Sequence, residues 1–292
     1  MSDEWEERAR QAQERRERLK SFGPYAAGVL VQTEGGLFVV DPEDNSVSAT
    51  LLHQGDYARS EVELARAFLR GGDVLVVGSH IGAHVVALSR HAPSVVAIEA
   101  NPNTFKFLAA NIRLNGCDNV EAHNLAAGES EGSIQFVLNR ENSGGSKRMP
   151  NAQHTHYFYD NPDVVEVEMT ALDSLIGPRA FDLILMDIEG SEYFALKGMT
   201  AILERAGALA VEFLGHHLTE VAGITPEQFV EPLLSHFSWL YLPRHRLVVP
   251  QPMIAAKIRE MYDTGDGHDL IVFSKDLPGS LGVPDNSFVL RP

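Results

Sequence analysis

DVLVVGSHIGAHVVALSRHAPSVVAIEANPNTFKFLAANIRLNG (73–116) is the stretch that decides the fold. Val74 to Val77 form an unbroken apolar run, as expected of a strand covered on both faces. The run stops at Gly78, and AHVVALSRH (83–91) reads as a helix. SVVAIEA (94–100) repeats the strand pattern, and NTFKFLAANIRLNG (103–116) is a second helix, closed by Gly116. Strand, helix, strand at this cadence calls for right-handed crossovers and an open parallel sheet.

Outward from this unit, NVEAHNLA (119–126), FDLILMDIEG (181–190) and GALAVEFLG (207–215) read as further strands, with a helix through Tyr193–Leu203 between the last two. SWLYLP (238–243) and HDLIVFSK (268–275) read as two closing strands, paired as a hairpin at one edge. The stretch 213–290, with Trp239, Tyr241 and the apolar VVPQPMIAAKI (248–258), either finishes the sheet and walls a pocket or forms a dimer surface. Towards the N-terminus, SEVELARAFLR (60–70) has helical spacing, and GVLVQ and GLFVV make a hairpin around TEG. Residues 1–20 carry both charge signs throughout, as a solvated helix does. The expected division is a charged helical arm (1–22), a hairpin and helix (23–72) and a main domain (73–292). Within the last, 139–165 breaks the cadence and is rich in Gly, Ser, Asn and His; a loop this long in a compact domain reads as a lid.

Totals narrow the function. The 292 residues are 44% hydrophobic, enough for a substantial core, and the formal net charge is −16. That balance argues against broad nucleic-acid binding, which needs Lys and Arg to replace phosphate counterions, and against an anionic membrane surface. Cys117 is alone, so neither an internal disulfide nor a multi-Cys zinc site is available. No apolar run reaches the roughly 20 residues of a membrane helix, and residues 1–20 lack the apolar centre of a signal peptide. A soluble, cytoplasmic protein is expected.

In an open parallel sheet, ligands sit outside the carboxyl ends of the strands. The first such end is Gly78-Ser79-His80-Ile81-Gly82, where two glycines let the backbone turn sharply and approach a ligand. Alone, it equally describes a tight turn with no ligand. Glu99 ends the next strand, 21 residues after Gly78, where an acid can accept hydrogen bonds from a ribose diol. Turn and acid together indicate an adenosine-bearing ligand. The sparse glycines favour S-adenosyl-L-methionine over a pyrophosphate cofactor, whose phosphates need more open helix N–H groups; a Rossmann oxidoreductase is disfavoured on the same ground.

The fourth strand runs into Asp187-Ile188-Glu189-Gly190-Ser191-Glu192. Three carboxylates at a strand end are costly unless solvated, hydrogen-bonded or used. Glu192 favours the start of the following helix through its dipole, whereas Asp187 is placed to point into the crevice. Glu212 closes the fifth strand, with His216 and His217 just beyond. A carboxylate and a histidine there form a base and its orienter or part of a metal site, unless the histidines lie on the surface or cap a helix. The catalytic candidates are Asp187, then Glu212 or His216. No metal is assigned.

Gly78–Gly82, AIEANPNTFKFLAANIRLNG (97–116), ENSGGS (141–146), LDSL (172–175) and DLILMDIEGSEYFALKG (182–198) together resemble the FkbM-type S-adenosylmethionine methyltransferases, from about residue 55 to residue 212. The resemblance implies an α/β fold with the seven-stranded, Rossmann-like sheet of class I methyltransferases, here with an N-terminal hairpin and helix extension. It implies O-methylation of a hydroxyl on a small metabolite, natural product or sugar. Gly78 and Gly82 would line the methionine part of the cofactor, Glu99 would hold its ribose and Asn124 would lie near the adenine. Ser79, His80, Ala100 and Ala126 complete that site, and Asp187 would face both sulfonium and acceptor. Tyr57, Asn142, Ser143 and Glu189 are assigned to the substrate. Two positions depart from the family pattern: Val76 stands where an acid is usual, and His80 where Asn is usual. Losing the acid removes a partner for the cofactor's ammonium. Either His80 or another group takes that role, or the chain is a catalytically silent adenosine-binding or scaffold protein. N-methylation is a further alternative, since an amine needs less base assistance. The expected partner is a small hydroxylated molecule, with no nucleic acid and no membrane; a homodimer is left open.

Overall fold

A computed structural model describes residues 3–281. The chain begins with α1 (Asp3–Lys20), the hairpin β1 (Val29–Thr33) and β2 (Gly36–Val40), α2 (Val47–Gln54) and α3 (Arg59–Phe68). The deciding stretch follows as β3 (Val74–Val77), α4 (Ala83–Ser89), β4 (Val95–Ile98) and α5 (Pro102–Leu114), leading to β5 (Val120–His123). Strands β6 (Ala126–Ala127), β7 (Gly132–Leu138), β8 (Lys147–Arg148) and β9 (Asp163–Thr170) come next. After α6 (Leu172–Leu175) come β10 (Leu183–Met186), α7 (Glu192–Lys197), α8 (Thr200–Arg205) and β11 (Ala208–Phe213). The described chain closes with α9 (Pro226–Leu234), β12 (Trp239–Leu242), β13 (Leu247–Pro250), α10 (Gln251–Thr264) and β14 (His268–Ser274).

The main sheet has the order β13-β12-β14-β11-β10-β3-β4-β5. Its five strands from β11 to β5 are parallel, and β14 runs antiparallel between β11 and β12. Alternate residues of the parallel strands serve opposite faces: Leu75, Val77, Ile184 and Met186 join one core, Val74, Val76, Leu183 and Leu185 the other. Each such fully buried side chain contributes about 1.5–3 kcal/mol, which makes this region the rigid base on which the strand-end loops stand. Helix α5 starts where Asn101 caps it, its Oδ1 accepting from the N–H of Asn103 at 2.9 Å, with Pro102 in the first turn.

Three expectations change. The closing strands β12 and β14 do pair, but β14 inserts between β11 and β12, with β13 and α10 intervening in sequence, so they are neither a hairpin nor the edge. The edge is β13, an eighth strand drawn from the start of the 248–258 stretch; its Val248 and Val249 are buried, and β12 supplies the hydrogen bonds. The third strand stops at His123, and Ala126-Ala127 leaves it to pair with β9 in a separate four-stranded sheet, β6-β9-β7-β8. Helix α2 had no counterpart in the sequence reading.

Gly78 joins β3 to the crevice. Its φ is 87°, and a Cβ there would stand 1.7 Å from the carbonyl oxygen of Asp187. Only glycine allows the ends of β3 and β10 to lie this close.

Candidate active site at the strand ends

A crevice of about 790 Å³ opens above the carboxyl ends of β3, β4 and β10, adjoined by a second space of about 970 Å³. The two share Tyr57, Gly78, Asp187 and Glu189. Their opposite ends differ in chemistry.

At one end stands Glu99, buried and furnished with three local donors. Oε2 accepts from the backbone N–H of His80 at 2.7 Å, and Oε1 accepts from the N–H of Asn101 at 2.7 Å and the hydroxyl of Thr104 at 3.0 Å. Burial raises its pKa against the opposing pull of His80 and these donors. An ionised carboxylate offers about four acceptor positions. Three are taken, which leaves one, on Oε2, toward the crevice that Glu99 lines.

His80 takes a left-handed φ of 49°. Its Nε2 lies 2.7 Å from Ser143 Oγ, whose hydroxyl donates to Asp44 Oδ2 at 2.8 Å. Because Ser143 gives its proton to Asp44, the imidazole proton sits on Nε2. Burial pulls the His80 pKa down to about 4, so the ring is neutral at physiological pH. Asp44 is fully buried, with Ser46 N–H at 2.6 Å and Ser48 Oγ at 3.3 Å, and burial lifts its pKa despite those donors.

The other end collects groups from distant parts of the chain. Met186 is in register with both Val77 and Val211, so Asp187 and Glu212 follow at adjacent strand ends. The Asp187 side chain is open to the crevice yet ringed by protein and by other acids; burial, then Glu212 and Glu189, hold its pKa well above the ordinary carboxylate value. Glu189 sits beside Lys147, whose Nζ donates to Oε2 at 2.9 Å; despite burial, Lys147 and His217 hold this carboxyl below its ordinary value. His217, on the π-helical turn His217–Ala222, places Nδ1 3.1 Å from Glu212 Oε2 and Nε2 3.3 Å from Glu189 Oε2.

Of the residues expected for the cofactor, Gly78, Ser79, His80, Glu99, Ala100, Ala126 and Asp187 line the crevice. Gly82 and Asn124 stand behind it. A Cβ on Gly82 would meet Leu108 Cδ1 at 2.8 Å, and Asn124 Nδ2 donates to the carbonyls of Glu99 and Ala100 at 2.8 and 3.3 Å, bracing the strand end. Tyr57, Ser143 and Glu189 line the crevice, and Asn142 and Glu212 line the adjoining space. His216 is not the histidine between the carboxylates: it is exposed, with its ring 4.3 Å from that of His217, which takes that place. A step of one residue along a helical turn rotates the side chain by about 100°, so the adjacent pair could not be told apart from sequence.

Residues 139–165 are built into this wall. Ser143 and Ser146 meet Asp44 and Asn101, Lys147 reaches Glu189, and Asn151 and Ala152 donate N–H groups to the carbonyls of Val221 and Glu220 at 3.1 and 2.7 Å. Asp44 and Lys147 escaped the sequence reading, which named His217 only as the neighbour of His216 and Ser191 only as part of the acidic strand end. The Ser191 hydroxyl is buried without a hydrogen-bond partner and lines the crevice, which is the mark of an atom waiting for a ligand or water. Asp44 did carry a signal, since D-x-S is an Asx-turn pattern, but nothing local says where its carboxylate goes.

The family model described as "Methyltransferase FkbM domain" matches residues 77–242, more than half of the chain. No curated protein matches. Among solved structures, a methyltransferase FkbM from Methylobacillus flagellatus KT is 23% identical, with 50% of this chain and 33% of that chain covered at a TM-score of 0.35. A putative O-methyltransferase from Klebsiella pneumoniae is 15% identical, covering 76% and 82% at 0.43. TYW2 of M. jannaschii, solved in complex with AdoMet, is 16% identical, covering 64% and 62% at 0.34. The match thus spans about a third of the length of the M. flagellatus protein. With more than half of its length matched by one family model, and with the glycine turn, the acid at 99 and the D-x-E-G-x-E strand end gathered at one crevice, the chain belongs to the FkbM methyltransferase family.

Proposed function

We propose that this chain transfers a methyl group from S-adenosyl-L-methionine to a hydroxyl of a small metabolite, natural product or sugar. The observation that carries the reading is the continuity of one crevice from Glu99, past the Gly78 turn, to Asp187. The residues fit the cofactor: Glu99 keeps one acceptor position for a ribose hydroxyl, and the buried Ser191 hydroxyl is unclaimed. Ser79, His80, Ala100 and Ala126 would line its flank. When bound, the cofactor supplies a sulfonium-borne methyl, and the electron pair of the broken C–S bond stays on sulfur while the acceptor oxygen loses its proton.

Asp187 is the proposed general base. Its crowded setting raises its basicity, which suits a carboxylate that must take a proton from a weakly acidic hydroxyl. Glu212 and the His216-His217 pair are held nearby as supporting groups, and Tyr57, Asn142, Ser143 and Glu189 face the acceptor. Segment 139–165 serves as the cover of the acceptor end, within a main domain of residues 73–292. Val76 is buried in the core, so no acid rises from that strand, and the His80–Ser143–Asp44 chain takes its place.

Calorimetric titration with S-adenosylmethionine, followed by turnover on a panel of hydroxylated metabolites, tests the proposal. Binding with product formation supports it. Absence of binding at millimolar cofactor would retire it in favour of a silent scaffold.

A further inference from the structure

His217 is 4% exposed and stands between two carboxylates, Nδ1 at 3.1 Å from Glu212 and Nε2 at 3.3 Å from Glu189. A neutral imidazole has one N–H and one lone pair, and an ionised carboxylate only accepts. Both contacts are therefore satisfied only if a cation, either a second ring proton or a metal ion, sits between the ring and one of the carboxylates. Asp187, Glu189, Glu192 and Glu212 gather near it, and Lys147 donates to Glu189. The unpartnered, 7% exposed hydroxyl of Ser191 lines the same crevice as Asp187 and Glu189.

We propose that Glu189 and His217 bind a divalent metal ion, with Glu212 orienting the imidazole from Nδ1. Their donor atoms all lie within 4.8 Å of one another. Two donors each about 2.1 Å from one ion, at angles between octahedral and tetrahedral, stand about 3.0–3.4 Å apart; His217 Nε2 and Glu189 Oε2 are at 3.3 Å. The proton then rests on Nδ1, donated to Glu212 Oε2, and this carboxylate–histidine pairing orients the ring on the metal. Lys147 fixes Glu189 in the same way. One imidazole and one carboxylate, completed by water or acceptor oxygens, suit Mn²⁺ or Zn²⁺ better than Ca²⁺. The ion would hold an acceptor through an oxygen pair, vicinal hydroxyls or a hydroxyl beside a carbonyl; that use rests on the methyl-transfer reading, whereas the ion's affinity does not.

The test uses the full chain stripped of metal with a chelator, titrated with Mn²⁺ while free Mn²⁺ is followed by electron paramagnetic resonance. One ion per chain is expected, displaced by Zn²⁺. Glu189→Gln and His217→Gln each weaken binding by about 100-fold or more, beyond the 10–100-fold of an outer-sphere partner, with thermal melting confirming that each variant is folded. NMR of the imidazole nitrogens needs no variant: a metal-dependent shift of His217 Nε2 supports the site. No ion bound at millimolar Mn²⁺ or Zn²⁺, or a doubly protonated His217 unchanged by metal, overturns it. S-adenosylmethionine is titrated on the same samples. Cofactor binding without metal binding removes the metal site alone; metal binding without cofactor binding keeps the site and removes the methyl-transfer reading.

Discussion

The two ends of the crevice accommodate their carboxylates in opposite ways. Glu99 is answered by donors within a few residues of itself or on the neighbouring turn, so each bond forms as the βαβ unit closes. Asp187, Glu189 and Glu212 are crowded together by strand register and offset by Lys147, which arrives from a separate segment. Local satisfaction makes the first end a rigid cradle. Crowding makes the second end reactive, because carboxylates that repel one another bind protons and cations avidly.

The largest effect should come from the crowded end. Asp187→Asn should lower turnover by about 10²–10⁴-fold while leaving the melting temperature equal or higher, since it removes a charge that burial and neighbouring acids disfavour. Wild-type turnover in that variant would remove Asp187 as the base. Gly78→Ala strikes the hinge between the two ends. With a φ of 87° and the Asp187 carbonyl in the way, it should cost about 4 kcal/mol in a urea titration, and a loss under about 1 kcal/mol would show that the strand ends can part.

Two pH titrations separate the regions further. His80 has a folded pKa of about 4 against an ordinary 6.5, so the unfolded chain binds more protons between these values. Its contribution is complete above 6.5 and is lost as pH falls toward 4, about 3 kcal/mol in all. His80→Asn, which also tolerates the left-handed backbone, should flatten that acid-side decline. An unchanged slope would place the His80 ring in water. Asp41 has the reverse sign: burial, with Asp44 beside it, raises its pKa to about 6 from 3.8. The folded state holds the extra proton there, so stability falls as pH rises from 3.8 to 6, by up to roughly 3 kcal/mol. Asp41→Asn should therefore stabilise at neutral pH and do little at pH 4; equal gains at both would refute the assignment. Smallest is Thr104→Val, which removes one donor from Glu99 and should cost about 1–2 kcal/mol, with a matching loss of cofactor affinity by calorimetry.

The parallel sheet, the Gly78 turn, the acid at 99 and the run into Asp187 were legible in the sequence. In each, the apolar run and the residue that ends it are neighbours, and hydrophobic period and strand-end position are local properties. Pairings across the sheet were less so: β14 lies between β11 and β12 because its buried face fits there, and no spacing rule announces such an insertion. His217 was passed over for His216 because only the path of the π-helical turn decides which ring meets Glu212 and Glu189. Lys147 was hidden in a Gly- and Ser-rich segment whose composition says loop and nothing of its destination.

What the sequence by itself determined is the scaffold: where strands start and stop, where the backbone must turn, and which acids close the strands. The tertiary structure alone decided the company those acids keep, joining Asp44 to Ser143 and His80, and setting Lys147 and His217 among the carboxylates. The reason is physical. Secondary structure follows from interactions between neighbours, whereas the strength of a buried charge depends on the groups around it, and those are brought together only when the chain has folded.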